Sequence, residues 1–164
     1  MGFMFEKAKA ITIVRRMMLS STELIEGAKE EGYLSSNYYS NAECALLSLA
    51  IFFADIYTRK DKLGKAILKE AVSGSWRQFI SEEHKQDYKN AIENLASQYK
   101  NILYSILSEP NFNDNPERIG NALYEICKVF TAHFYAEFNE ESAEYFMMIL
   151  FGVKGYVYTL VGKK

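Results

Sequence analysis

The run from Tyr145 to Val161 constrains this chain more than any other, because its only charged side chain is Lys154. Asn139-Glu140-Glu141 precedes it and Lys163-Lys164 follows it. A capping amide, acids at the positive end of a helix dipole and cations at the negative end are what helix termini favour. So apolar a helix must be covered on more than one side. It is slightly short for a membrane span, and a lysine near the centre of a span costs about 2.5–3.5 kcal/mol on insertion scales. Burial inside a folded domain is therefore the expectation.

The preceding stretch has the same grammar. Asn115-Pro116-Glu117 supplies an N-cap, a proline whose missing N–H matters least at the first helical position, and an acid. Two long helices, 116–138 and 140–162, are expected to close the chain as an antiparallel pair joined by a very short turn.

Upstream, Val14, Met17 and Met18 recur at helical spacing, with Glu6, Lys7, Arg15 and Arg16 on the other side, which predicts a helix over Phe3 to Leu19. Ser20-x-x-Glu23 reads as a capping box that opens a second, short helix ended by Gly32, after which Tyr33 folds back onto the body. A second box, Ser40-x-x-Glu43, opens a helix that is very apolar from Cys44 to Ala54 and should also be wrapped on both sides. Asp55 and Arg59 are spaced as an i,i+4 pair at its end. A lysine-rich helix follows from Asp61 to Ala71, then a hydrophobic corner around Trp76. A long helix to about Ser108 then carries Tyr88, Ile92, Leu95, Tyr99 and Ile102 on one stripe. No segment reads as a strand. The expectation is one all-α domain over 1–164, with about seven helices.

Several function classes fall away on chemistry. The net charge of −2 comes without a basic block, which argues against nucleic acid as a partner. Cys44 and Cys127 lie in apolar helical stretches with no CxxC, as small core residues of a reduced, cytoplasmic protein do. The N-terminus lacks the charged-then-apolar order of a signal peptide. There is no HExxH, no phosphate-binding glycine loop and no GxSxG, and with two histidines a di-iron or zinc centre is poorly supplied. No metal and no enzymatic activity are expected.

His133 is the polar residue that stands out. It extends a stripe of Ile119, Leu123, Ile126 and Phe130, with Phe134 beside it. There it would meet a ligand carboxylate, an anion or a haem iron, or serve as a core histidine bonded to a neighbour. The closing helix also carries two apolar faces. Phe146, Leu150, Val153 and Val157 form one, and Tyr145, Ile149, Gly152 and Tyr156 form the other. A monomer rarely exposes so much apolar surface, so either earlier helices cover both faces or one of them is a subunit interface, and a homodimer built from the two closing helices is the expectation. Gly152 and Gly155 each weaken a helix by about 1 kcal/mol relative to alanine, which hints at a close backbone approach.

The segment from Phe134 to Glu141, the run from Tyr145 to Val161 and the single-domain length together resemble one family. It comprises the haem-less, globin-like sensor domains of Bacillus sporulation histidine kinases and the small plasmid-encoded proteins that inhibit sporulation. The resemblance implies a non-enzymatic, globin-like sensor without haem. It would hold a fatty acid in an apolar tunnel beside a polar chamber for an anion such as a halide. By this likeness the protein would form a homodimer and inhibit sporulation by taking the signal from a sensor kinase. Packing would then line the tunnel with Phe52, Leu95, Tyr99, Phe130, Phe134, Phe146 and Leu150, with His133 and Tyr99 meeting the carboxylate. The alternatives are a helical interaction module of immunity or antitoxin type without an internal ligand, and a haem globin using His133.

Overall fold

The computed structural model describes residues 2–34, 39–73, 82–108, 117–133 and 136–161. These residues form six helices and, among the described residues, no strand. The helices are α1 (Gly2–Glu30), α2 (Tyr39–Thr58), α3 (Lys62–Ser73), α4 (Glu82–Leu107), α5 (Glu117–Ala132) and α6 (Glu140–Val161). The Asn115-Pro116 cap, the Trp76 corner, the Ser40 side chain, Phe134 and the terminal lysines lie outside the described residues.

The two helices expected before Gly32 are one. The capping pattern at Ser20 is overridden because the apolar stripe runs straight through it: Ile13, Val14, Met17, Leu24, Ile25 and Ala28 are all buried. The Ser21 hydroxyl, instead of capping a new helix, donates back to the Met18 carbonyl at 2.7 Å. The helix ends where the sequence says it should. Gly32 takes φ +79°, Tyr33 N–H bonds the Ala28 carbonyl at 2.8 Å and Gly32 N–H bonds that of Lys29 at 3.1 Å, the Schellman pattern.

α2, not the closing pair, is the centre of the molecule. It packs against α1, α3, α4 and α6, whereas α5 lies mainly on α4. Leu46, Leu47, Leu49 and Phe52 are fully buried there, and each contributes about 1.5–3 kcal/mol relative to exposure. The window Asn41–Thr58 is long and apolar enough to cross a membrane, but 67% of it is buried against the protein's own helices, as suits a core helix.

The closing pair is looser than expected. α5 stops at Ala132 rather than 138, and α5 and α6 share much less contact than α6 shares with α2. The start of α6 follows its sequence. Asn139 Oδ1 accepts from Ser142 N–H at 2.9 Å, and Asn139 N–H donates to Ser142 Oγ at 3.0 Å, a reciprocal cap with Glu140 and Glu141 in the first turn.

Candidate functional site

One face of α6 is fully enclosed by the domain. Phe146, Leu150 and Val157 are fully buried against the core, while the next face around the helix is left half open. The reason lies in how α1 and α6 meet. The Tyr145 hydroxyl donates to the Leu24 carbonyl at 3.3 Å, and it rests against Gly27, where a β-carbon would overlap it. Tyr33 adds its ring to the same corner, 5.6 Å from Tyr145 and 5.9 Å from Phe146. From this pinch the two helices diverge, and contact between them is sparse.

The divergence leaves an open groove of about 460 Å³, floored by Leu46 of α2. Its α6 wall carries Tyr145, Ile149, Gly152 and Tyr156, the four residues expected to form a subunit interface. Its α1 wall carries Arg16, Met17, Ser20, Glu23 and Leu24. Leu24 sits at the closed end with Tyr145, so Arg16, about 12 Å back along α1, lies toward the open end. On the α6 side the exposed lining side chain is Met148, 68% exposed, whereas the exposed residues on the α1 side include the charged Arg16 and Glu23. Gly152 and Gly155 face open space, with nothing near where a β-carbon would stand. Within one chain, no close backbone approach accounts for either glycine.

The α1 wall was not legible as part of a site. Arg16, Ser20 and Glu23 recur at i, i+4 and i+7, a polar stripe beside Met17 and Leu24. That spacing was the available signal, obscured by the apparent capping box.

The residues proposed for an internal tunnel occupy the core. Phe52, Tyr99, Phe130, Phe146 and Leu150 are fully buried and Leu95 nearly so, and none borders the groove. Phe52 and Tyr99 meet edge-on, with centroids 6.1 Å apart. The Tyr99 hydroxyl and, at the end of α5, His133 Nε2 are buried and have no hydrogen-bond partner among the described residues. Burial pushes the Tyr99 hydroxyl well above its ordinary pKa and pulls the His133 imidazole below its own. His133 stands just past the end of α5, half-buried, with its backbone N–H donating to the Val129 carbonyl at 3.2 Å. Ile119, expected at the head of that stripe, is 44% exposed.

Asp55 does not pair with Arg59. Arg59 leaves the helix in the left-handed region at φ 55°, and the Asp55 carboxylate pairs instead with Lys100 of α4. Its second oxygen packs against Gly64 of α3, where a β-carbon would overlap it. The sequence concealed this pairing because the cation comes from another helix. Among the described residues, no three His, Cys, Asp or Glu side chains cluster to hold a metal ion. No protein-family model matches this chain, and neither the curated proteins nor the solved structures include a significant match to it.

Proposed function

We propose that this chain is a non-enzymatic helical interaction module, and that the groove between α1 and α6 accepts an apolar helix of a partner protein. The observation that carries this reading is the groove itself: a channel with an apolar floor at Leu46, with Ile149 and Met148 on its α6 side and the polar stripe of Arg16, Ser20 and Glu23 on its α1 side, along a helix whose other face is already buried. Contiguous exposed apolar surface of this kind marks interaction sites, and a channel between two helices suits the i, i+3/i+4, i+7 anchors of an amphipathic helix. The α6 wall runs from Tyr145 to Tyr156, about 16 Å or three helical turns. Gly152 has no side chain to hold a partner backbone away. A fluorescein-labelled amphipathic leucine–lysine helix should bind saturably to the wild type, and Gly152→Trp, which fills the channel from an exposed position, should abolish that binding. Absence of binding, or binding indifferent to Gly152→Trp, would refute this reading.

A second reading draws on the unpartnered Tyr99 hydroxyl and His133 Nε2. Buried polar atoms normally find partners, and a ligand carboxylate would serve both kinds of donor. In this reading the chain is a globin-like, haem-less sensor that holds a fatty acid among Phe52, Leu95, Phe130, Phe146 and Leu150 and withholds it from a sporulation kinase. Those side chains are packed against one another, so an acyl chain has to open the core to enter. Palmitate should then raise the melting temperature through binding to the folded state, and Gly152→Trp should leave that shift intact. No shift with palmitate would remove this second reading.

A further inference from the structure

We infer that the helix accepted by the groove belongs to another protein, carries acids in its first turn and bases in its last, and lies parallel to α1 with its basic end at the Tyr33–Tyr145 corner. The inference rests on the groove reading above and adds the charge pattern and direction of the partner. The groove is charged lengthwise. The charged residues of α1 from Lys7 to Arg16 are all cations, and Arg16 enters the wall toward the open end. Those from Glu23 to Glu30 are acids apart from Lys29, and Glu23 enters the wall near the closed end. α6 begins at that same end with Glu140, Glu141 and Glu144. The Tyr33 hydroxyl donates to the Glu141 carbonyl there at 3.4 Å. Burial first, and then the charges of Glu31 and its neighbouring carboxylates, push the Tyr33 and Tyr145 hydroxyls above their ordinary pKa. Arg16 and Glu23 are both exposed and have no ion-pair partner among the described residues. They stand about 10 Å apart along α1, the rise of seven helical residues. A helix laid in the channel therefore meets both with an acid at one position and a base seven residues on. Opposite charges so placed set register and reject misdirected partners. Helices favour acids in the first turn and bases in the last, so the partner's N-terminus lies at the open end, parallel to α1 and antiparallel to α6. A second copy's α6 does not supply the pair, because none of its acids has a base seven residues after it.

Two fluorescein-labelled peptides with the same leucine anchors test this by fluorescence anisotropy at physiological ionic strength. A bipolar peptide, with glutamates in its first turn and lysines in its last, should bind wild type at least about tenfold tighter than the leucine–lysine helix, which sets a lysine against Arg16. Arg16→Glu should weaken the bipolar peptide about tenfold and leave the leucine–lysine helix no weaker. Glu23→Lys should also weaken the bipolar peptide. Both residues are exposed, so circular dichroism should show the variants folded. A nitroxide on the peptide's C-terminus should broaden the backbone NMR signals of Gly32 and Tyr33, and one on its N-terminus that of Tyr156. Equal affinity for the two peptides, a bipolar complex indifferent to Arg16→Glu, or the reversed pattern of broadening would overturn the inference. So would a wild-type dimer that the bipolar peptide fails to dissociate, since a second copy then fills the groove. Binding that is still abolished by Gly152→Trp would leave the groove reading standing in those cases, whereas binding of neither peptide would end both.

Discussion

Gly27 and Tyr145 are fitted to one another: the tyrosine hydroxyl fills the space a β-carbon at position 27 would take, and from there it donates to the Leu24 carbonyl. This contact joins the C-terminal part of α1 to the first turns of α6. Beyond it the helices part, so it closes one end of the groove.

Gly27→Ala should leave stability nearly unchanged. Alanine in place of a helical glycine gains about 1 kcal/mol, and displacing the hydroxyl from its bond loses about as much. In a Tyr145→Phe background the overlap is absent, so the same substitution should stabilise by about 1 kcal/mol. Urea denaturation of the two single variants and the double variant measures this coupling. Additivity within error would show that the two residues do not share this space.

Asp55 gives the fold an uncommon pH response. Burial pushes its carboxyl above the ordinary value of 3.8, and the hydrogen bond and charge of Lys100 only partly pull it back. The folded state thus holds this proton more tightly than the unfolded one. The group's stabilising contribution is complete below the unfolded value and fades as pH rises through the folded value. Relative to Asp55→Asn, the wild type should gain stability on moving from neutral pH toward pH ~4. Thermal melts across that range should show the two curves converging or crossing toward acid. Parallel curves would contradict it. Lys100→Met, which leaves the carboxylate buried without its cation, should cost about 3 kcal/mol at neutral pH.

Tyr99→Phe should raise stability by about 1 kcal/mol, because a fully buried hydroxyl with no partner among the described residues is replaced by hydrogen at constant shape. If Tyr99 instead receives a carboxylate, the variant would abolish any thermal shift produced by palmitate. Melting curves with and without palmitate separate the two roles.

Cys127 should resist alkylation while the protein is folded. Burial pushes its thiol up to about 12, so the reactive thiolate is scarce at pH ~8. Cys44 is also buried and forms no disulfide among the described residues. Iodoacetamide at that pH should modify neither until urea unfolds the chain, as intact-mass spectrometry would show.

The sequence by itself determined what a short stretch of residues can decide locally. Helical class follows from apolar periodicity, and the ends of α1 and α6 follow from Gly32 and from Asn139 with its acids, because caps are satisfied by neighbours in the chain. The buried stripe of α4 through Ile92, Leu95 and Tyr99, and the burial of Phe52 and Phe146, were legible for the same reason. Tertiary structure decided what depends on which helix lies opposite. It carried α1 through Ser20, because a continuous buried stripe outweighs a local cap, and it gave Asp55 a partner 45 residues away. It also put α2 rather than the closing pair at the centre, because that helix packs against α1, α3, α4 and α6. The face of Tyr145, Ile149, Gly152 and Tyr156 was visible as a surplus of apolar surface, but the wall opposite it was not. Nothing in the spacing of α6 says that α1 will touch it at Gly27 and then turn away, and that divergence is what makes a groove.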